Sequence, residues 1–370
     1  MVTLLVLGGC SMFRKQPPPP PPPPPAIKAP LAKAPLATHI FAYEPGVTAV
    51  LGELQVTRAR HEDTLVDIAR RFNVGYDELR NANPGVDPWL PGEGTTIVLP
   101  TLFVMPDGPR EGILINVAAM RLFYFPKAAT DAPRTVVTYP IGIGRIGRAT
   151  PLGTTKVVSK RKGPAWTPPA SVRKEHAAAG ESLPARVRPG PDNPLGAYAM
   201  NLGWPSYLIH GTNKPPSVGM RASHGCIRLY PEDIESLFGE VAVGTKVTVV
   251  NQPLLAAWQG NSLYVQSFPV PVQGEDEDED DNKAPAPVAY DDKVAARLQQ
   301  LAGKHGASVN ATLASQAVTQ ARGIAVPVSR AGLTMDAWLG GARRVENTVP
   351  EGSNWDGSDG TAAAGPGKPQ

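Results

Sequence analysis

Two short segments hold residue types that suit acyl transfer by a cysteine. Residues 209–212 read Ile-His-Gly-Thr, residues 223–229 read Ser-His-Gly-Cys-Ile-Arg-Leu, and the chain advances 16 residues from His210 to Cys226. A nucleophilic thiol needs a base that accepts its proton, a group that orients the base, and donors for the tetrahedral oxyanion. The two segments contain candidates for each role, and Gly225 permits a close approach of main-chain amides to the reacting carbonyl.

The residues around Cys226 have predicted supporting roles. In an extended segment, residues two apart face the same way, so His224 is expected beside Cys226 as a donor or an orienting group. Arg228 is a candidate for binding a substrate carboxylate, or it pairs with an acid of the chain such as Asp233. Ser223 is a candidate substrate contact, or it steadies the loop by a local hydrogen bond.

Three further side chains are candidates for lining a substrate cleft, namely Tyr198, Asn201 and Trp204. They lie in or just after an apolar run that predicts a strand. Because side chains alternate across a strand, half of them face the core, and the sequence leaves open which ones do so.

A zinc site is the alternative use of these side chains. His210, His224 and Cys226 are all good zinc ligands. The one other cysteine of the chain, Cys10, is far away in sequence, so only three candidates lie close together. Structural zinc sites use four protein ligands, and no metal is expected here.

The chain resembles the L,D-transpeptidases of the YkuD type over residues 111–251. The resemblance rests on the His-Gly-Thr and Ser-His-Gly-Cys-Ile-Arg-Leu segments and on matches in the loops that contact substrate. Those matches are Gly-Ile-Gly at 142–144, Ala-Thr-Pro-Leu-Gly at 149–153, Trp-Thr-Pro at 166–168 and Asn-Pro-Leu-Gly at 193–196. The resemblance implies a β-sandwich catalytic domain with a short helix, expected at 110–252.

The resemblance also implies a mechanism. Cys226 is the nucleophile, His210 takes its proton, and the main-chain carbonyl of Gly211 orients the imidazole. A protonated histidine beside a thiol lowers the pKa of that thiol, so a pre-formed ion pair is expected. The implied reaction cleaves the bond after meso-diaminopimelate in a tetrapeptide stem, releases D-Ala and passes the acyl group to an amine, with no metal or organic cofactor.

The acceptor of the acyl group distinguishes the possible outcomes. An amine on a second stem gives a 3-3 crosslink, and an amine on a lipoprotein attaches that lipoprotein to the wall. Water as acceptor gives a carboxypeptidase or hydrolase that trims peptidoglycan. A non-catalytic wall-binding anchor is a further alternative, which the intact pair of His210 and Cys226 disfavours.

β-rich runs predict a mainly antiparallel domain across 110–252. One helix is expected at 231–238, because a proline suits its first turn, acids follow it, and apolar residues form a stripe. The expected strands are Ile113–Val117, Arg121–Phe125, Thr135–Tyr139, Thr154–Ser159, Ala197–Leu202, Tyr207–Ile209 and Lys246–Val250.

Residues 41–105 predict a separate small α+β domain. Apolar residues between Leu65 and Phe72 follow helical spacing after the N-cap candidates Asp63 and Thr64. A second helix is expected at 77–82 and a strand at 96–99.

This small domain resembles the LysM family, which binds glycans that contain N-acetylglucosamine. The resemblance rests on 61–65 (His-Glu-Asp-Thr-Leu), Ile68-Ala69, Phe72, Leu79, Asn81 and Asn83-Pro84. Glu62 stands where that family usually has a turn glycine. A spacer domain with a degenerate glycan site is therefore the alternative.

The first forty residues predict export and a tether. An apolar run with small residues before Cys10 looks like a lipoprotein signal at 1–10, with Cys10 acylated. Nine prolines at Pro17–Pro25 predict a stiff polyproline spacer within a tether at 11–40. Ser11 is not the aspartate associated with inner-membrane retention, so an outer-membrane anchor facing the periplasm is expected. An apolar N-terminus with no export role is the alternative.

The region after the catalytic domain is expected to lack a folded core. An acidic and Pro-rich linker is predicted at 253–290, since Glu275–Asp281 contributes seven consecutive acids. A low-complexity tail is predicted at 291–370, with marginal helices at 291–301 and 312–321.

The charge distribution agrees with an anionic partner without proving one. Residues 111–250 carry 17 Lys and Arg against 9 Asp and Glu, which permits an anionic substrate, although a solvated basic face is commoner. The expected partners are peptidoglycan and, for one choice of acceptor, a wall-attached lipoprotein. No nucleic acid is expected, and membrane contact is expected only through the lipid anchor.

Overall fold

The computed structural model describes residues 37–127, 133–145, 148–270 and 286–349. The predicted signal with Cys10, the Pro17–Pro25 run and the acidic run Glu275–Asp281 lie outside the described residues, so those expectations remain predictions. Within the described residues, no helix is long and apolar enough to cross a membrane.

The secondary structure is mainly β, as predicted. The strands are β1 (His39–Ala42), β2 (Val50–Gly52), β3 (Gln55–Arg58), β4 (Thr96–Leu99), β5 (Leu102–Val104), β6 (Gly112–Asn116), β7 (Arg121–Phe125), β8 (Thr135–Pro140), β9 (Ile143–Gly144), β10 (Gly153–Lys162), β11 (Tyr198–Leu202), β12 (Leu208–His210), β13 (Arg221–Ser223), β14 (Ile227–Arg228), β15 (Lys246–Val250), β16 (Leu254–Gln259), β17 (Ser262–Ser267), β18 (Val326–Pro327) and β19 (Arg343–Arg344). The helices are α1 (Leu65–Arg71), α2 (Tyr76–Ala82), α3 (Ala170–Ala178), α4 (Pro231–Glu240), α5 (Asp292–Gly303), α6 (Ala311–Gln320) and α7 (Met335–Gly340), with a 3₁₀ turn at Pro215–Ser217.

The small N-terminal domain has the predicted pair of helices beside a pair of strands. Thr64 caps α1 by accepting a hydrogen bond from the Asp67 amide, and the Asp67 carboxylate accepts from the Thr64 amide in return. This reciprocal pair satisfies two amides that a helix start leaves unpaired. Helices α1 and α2 bury Leu65, Ile68 and Leu79 against the antiparallel pair β3 and β4.

A nine-stranded sheet forms the catalytic region, in the order β1-β8-β7-β6-β15-β10-β11-β12-β14. Most neighbours are antiparallel, as expected, but β6 pairs with β15 and β12 pairs with β14 in parallel. One face of the sheet buries a core that includes Ile113, Ile115, Val157, Met200, Ile209, Ile227 and Val247, together with Ile234 and Leu237 of α4. Strand β1 belongs to this sheet, although His39 and Ile40 fall within the predicted tether.

The predicted helix at 231–238 is confirmed as α4, which extends two residues further to Glu240. Helix α3 was not predicted. Its sequence, Ala-Ser-Val-Arg-Lys-Glu-His-Ala-Ala, has no apolar stripe, and Val172 is its one buried residue. A polar helix of this kind leaves little periodic signal in a sequence.

The prediction of a linker from 253 and a low-complexity tail from 291 is wrong for the described residues. Strands β16 and β17 form an antiparallel hairpin that continues into β18. The hairpin packs against α5 and α6 in a core shared with the strands around the small domain, through residues such as Val50, Leu102, Leu263, Leu313 and Val318. This core is rich in alanine and valine, and the Pro-rich and acidic run interrupts it in sequence. Composition alone therefore predicted a linker and a tail here.

The turn between α1 and α2 joins the small domain to the catalytic region. The Asn73 side-chain amide donates to a carboxylate oxygen of Asp233 at 2.7 Å. The Tyr230 hydroxyl donates to the main-chain carbonyl of Val74 at 3.1 Å. Both catalytic-region partners lie at the start of α4, a few residues after Cys226, so the small domain packs directly behind the cysteine segment.

A buried ion pair fastens α2 to the catalytic sheet. Arg121 on β7 donates from Nη2 to Glu78 Oε2 at 2.7 Å and from Nε to Oε1 at 3.2 Å. Both side chains are almost fully buried, at 2% and 5% exposure. The Arg121 guanidinium also lies over the ring of Phe103, 4.1 Å from its centroid.

Removing one partner of this pair is expected to destabilise the protein strongly. In Glu78→Gln the buried Arg121 cation lacks its counter-charge, which lowers the free energy of unfolding by about 3–5 kcal/mol. The matched control is Glu111→Gln, which breaks the exposed Lys246–Glu111 pair and is expected to cost at most about 1 kcal/mol. Urea denaturation of the full chain measures both, and equal losses in the two variants would contradict the argument.

Candidate active site

The parallel pairing of β12 with β14 brings the two predicted segments together. His210 is the last residue of β12, and β14 begins directly after Cys226. In the register, Ile209 lies opposite Ile227 and His210 lies opposite Arg228. Paired residues face the same side of a sheet, and so do residues two apart on a strand. His210 and Arg228 therefore share one face, while the isoleucines fill the core behind them, and Cys226 directly precedes β14, where the charge of Arg228 acts on both its thiol and the His210 ring.

His210 is held in one orientation by the residue that follows it. Its Nδ1 lies 2.6 Å from the main-chain oxygen of Gly211. A carbonyl can only accept, so Nδ1 carries the proton and Nε2 presents a lone pair. This is the hydrogen bond that the family resemblance implies for Gly211. Burial, and then the nearby Arg228 cation, lower the pKa of His210 to about 3, so the imidazole is neutral at physiological pH.

Cys226 is a partly buried free thiol. Its Sγ lies 3.6 Å from the main-chain oxygen of Ser206. Burial raises the pKa of Cys226, while a hydrogen bond from the Leu208 amide and the charge of Arg228 act in the opposite direction. Together with neutral His210, this favours a resting thiol and imidazole, so the expected pre-formed ion pair is not the favoured state.

The cysteine segment is bent, because Gly225 adopts φ +106°, a conformation that favours glycine. A Cβ atom at this position would lie 2.7 Å from the ring of Tyr207. The assumption of an extended run from His224 to Cys226 is therefore wrong. The Gly225 carbonyl accepts from the Thr150 hydroxyl at 3.0 Å, which fixes the bend from the neighbouring loop.

Ser223 has the local role that was one of its two predicted uses. It is buried, its hydroxyl donates to the Cys226 carbonyl at 2.6 Å, and it accepts from the Gly225 amide at 3.1 Å. These two hydrogen bonds hold the loop in its conformation. Because the Ser223 hydroxyl is buried and bonded within the loop, it is not placed to contact substrate. The same hydrogen bonds also occupy the Gly225 amide, so this main-chain donor is not free for an oxyanion.

Arg228 does not pair with Asp233, which was the alternative prediction. Asp233 accepts instead from Asn73, and burial raises its pKa to about 8. In the part of the chain that the structure describes, Arg228 forms no ion pair and its Nε has no hydrogen-bond partner. A cation beside the thiol is thus available for a substrate carboxylate.

The three cleft candidates separate into different environments. Tyr198 faces the core, where its hydroxyl donates to Glu235 at 2.8 Å, so the prediction that it lines a cleft is wrong. Asn201 is exposed on the face that carries His210 and donates to the Ser159 hydroxyl at 2.7 Å. Trp204 lies in the turn after β11 and contacts the ring of Tyr207, which in turn covers Gly225.

His224, predicted as a donor or an orienting group, pairs with a carboxylate of α3. Its Nε2 lies 2.9 Å from a carboxylate oxygen of Glu175 on α3. Sequence reasoning missed Glu175 and its second partner Arg145, because neither belongs to a motif and their contact spans 30 residues. Among the described residues, no group of three or more His, Cys, Asp or Glu side chains is placed to hold a metal ion.

A partly buried thiol and a histidine on neighbouring segments, with one imidazole nitrogen held by a carbonyl, fit a cysteine acyltransferase or hydrolase. Comparison with known proteins narrows this class. Residues 110–249 match the L,D-transpeptidase catalytic domain family (YkuD), and residues 60–100 match the LysM domain family.

Curated relatives agree with the family match. The probable L,D-transpeptidase YbiS of Escherichia coli (strain K12) is 45% identical over 221 residues, which is 59% of this chain and 71% of that protein. The probable L,D-transpeptidase YcfS of the same organism is 41% identical over 232 residues, 61% of this chain and 71% of that protein. The probable L,D-transpeptidase ErfK/SrfK of Salmonella typhimurium is 48% identical over 191 residues, 51% of this chain and 60% of that protein. The chain belongs to the L,D-transpeptidase family.

The raised pKa of Cys226 and the lowered pKa of His210 predict the pH profile of alkylation. The thiolate is the reacting form, so the rate of alkylation by iodoacetamide is expected to rise about tenfold per pH unit between pH 6 and 8. No inflection is expected near pH 6.5, since His210 stays neutral throughout this range. Rates are measured by intact mass in a Cys10→Ala background, and a plateau across neutral pH would show that the ion pair is pre-formed after all.

Proposed function

We propose that Cys226 and His210 catalyse two-step acyl transfer on the tetrapeptide stems of peptidoglycan. The hydrogen bond from His210 Nδ1 to the Gly211 carbonyl carries the proposal, because it leaves Nε2 unprotonated, and the pairing of β12 with β14 brings the histidine and cysteine segments together. Membership of the L,D-transpeptidase family supports the reaction class, and the LysM match supports peptidoglycan as the partner. The enzyme acts at the cell wall.

The first step acylates the cysteine. His210 Nε2 takes the thiol proton as Sγ attacks the carbonyl carbon of the bond between meso-diaminopimelate and D-Ala. The tetrahedral intermediate then collapses, the C–N bond breaks, and the proton passes from His210 to the departing amine of D-Ala. Burial lowers the pKa of His210 to about 3 and raises the pKa of Cys226, so a neutral thiol and a neutral imidazole are favoured before attack.

The second step returns the free thiol. An acceptor amine attacks the thioester carbonyl, His210 takes the amine proton, and the C–S bond breaks as that proton returns to sulfur. An amine from another stem gives a 3-3 crosslink, and an amine of a lipoprotein gives wall attachment. Water gives trimming instead. Arg228, unpaired within the described residues, is proposed to hold a stem carboxylate during both steps.

The nucleophile assignment is tested with the two cysteines of the chain as a matched pair. Cys226→Ala is expected to lower transfer by more than about a thousandfold, whereas Cys10→Ala leaves the rate of the purified protein unchanged. Mass spectrometry of products from purified tetrapeptide muropeptides, with and without an acceptor amine, measures both rates and separates transfer from hydrolysis. Turnover above background in Cys226→Ala would overturn the assignment.

We further propose that the catalytic and LysM domains are carried by a lipid anchor at Cys10 in the outer membrane, with the Pro-rich tether at 11–40 as a spacer. The support is the apolar run that ends in small residues before Cys10 and the serine at position 11. The remaining boundaries of this arrangement follow the two family matches, at 60–100 and 110–249.

Loss of the acyl site is expected to release the protein from the membrane. Fractionation of cells that express wild type or Cys10→Ala should place the first with outer membranes and the second in the soluble periplasm, since acyl chains supply the membrane affinity. Wild-type protein in the soluble fraction, unaffected by the substitution, would refute the anchor and leave the catalytic assignment untouched.

A further inference from the structure

We propose that Glu175 of α3 is a positioning residue for the cysteine segment 223–226, acting through His224 and Arg145. The inference rests on the proposed roles of Cys226 and His210 and adds a residue from outside every motif of the family signature. Under this proposal, α3 helps to hold the nucleophilic cysteine in place.

Both oxygens of the Glu175 carboxylate are occupied by groups next to the active site. Oε1 lies 2.8 Å from Arg145 Nη1, and Oε2 lies 2.8 Å from Arg145 Nη2. Oε2 also lies 2.9 Å from His224 Nε2. A bidentate guanidinium and a third donor on one carboxylate define the direction of all three side chains.

The two partners of Glu175 connect the end of β9 with the cysteine segment. His224 belongs to it, directly before Gly225 and Cys226. Arg145 follows β9 and donates its main-chain amide to the Ser223 carbonyl at 2.9 Å. Next to it, Gly144 is so close to the segment that a Cβ atom there would lie 2.8 Å from Gly225 Cα. Glu175 therefore ties the segment to the wall against which it packs.

The charge of Glu175 also determines the state of His224. The hydrogen bonds from Arg145 and then from His224 lower the pKa of Glu175 to about 2, so the carboxylate is ionised and can only accept. Nε2 of His224 consequently carries a proton. The side chain of Glu175 is 39% exposed, so solvent screening leaves these ion pairs little weight in overall stability. Orientation, more than stability, is what they supply.

Helix α3 contains a natural control. His176, the next residue, pairs with Glu181 at 2.6 Å, and both side chains are exposed. This second carboxylate and imidazole pair has the same chemistry and belongs to the same helix region, but it has no contact with the cysteine segment in the described residues. Both variants, Glu175→Gln and Glu181→Gln, remove a carboxylate charge that pairs with an imidazole, but of the two only Glu175 also binds Arg145 and contacts the cysteine segment through His224.

The test compares these two variants in the full chain. Glu175→Gln is expected to lower kcat for transfer about tenfold with KM changed less than about twofold, because a small displacement of the nucleophile slows chemistry more than binding. The rate of Cys226 alkylation by iodoacetamide should fall in parallel, and Glu181→Gln should match wild type in every measurement. ¹⁵N NMR of the histidines should show protonated Nε2 on His224 in wild type and a changed tautomer balance in Glu175→Gln only.

A double variant separates positioning through His224 from a separate effect. Glu175→Gln combined with His224→Gln should lose little more activity than His224→Gln alone, since the two act as a unit. Wild-type kcat in Glu175→Gln, an equal loss in Glu181→Gln, or a loss that follows a lowered melting temperature would each overturn the inference. A wild-type protein without transfer activity would instead refute the proposed function, whatever Glu175 does.

Discussion

The active site depends on one parallel strand pairing, that of β12 with β14. This register sets His210 opposite Arg228 and brings the segment that carries Cys226 beside β12, although the intervening residues 211–225 form separate turns and a separate strand. Parallel strands need a crossover connection, and here the crossover carries Ser223 and Gly225. It also contacts the small domain, where the Tyr76 amide donates to the Val218 carbonyl at 3.2 Å. A shift of the register by one residue would move every side chain of β14 to the other face. The core isoleucines at 209 and 227 oppose such a shift, because it would bring them out of the apolar interior.

The electrostatics of the site follow from its burial. Burial lowers the pKa of His210 and so disfavours the charged imidazole. Burial also raises the pKa of Cys226 and so disfavours the thiolate. At a buried site of this kind, the reactive cysteine depends on negative charge that the substrate brings. A developing oxyanion and a substrate carboxylate each stabilise a neighbouring positive charge. The positive charge of Arg228 acts on both groups. It lowers the free-energy cost of forming the thiolate and raises the cost of forming the imidazolium. The site is therefore biased toward a neutral resting state.

Local patterns in the sequence predicted most of the strands and helices and indicated His210 and Cys226 as the candidate catalytic pair, because these signals depend on short spacings. The strands of the sheet, helix α4 and the capping of α1 by Thr64 are of this kind. The failures involve contacts between distant parts of the chain. No sequence pattern indicates that Asp233 pairs with Asn73 instead of Arg228, or that Glu175 lies beside His224. The C-terminal core at 254–349 was missed for a related reason, as its small apolar residues acquire partners only when strands from the other end of the chain are present.

The position of β1 has a mechanical meaning. This strand lies at one edge of the nine-stranded sheet, paired with β8, while β14 and the adjoining Cys226 lie at the other edge. His39 at its start is buried and neutral, with its pKa lowered to about 3, and its Nε2 donates to the Phe72 carbonyl at the end of α1. If the proposed anchor at Cys10 holds the chain, tension from the N-terminal side enters the fold at this strand. The load is shared between a four-residue hydrogen-bonded ladder and the small domain, and seven strands of the sheet lie between β1 and β14.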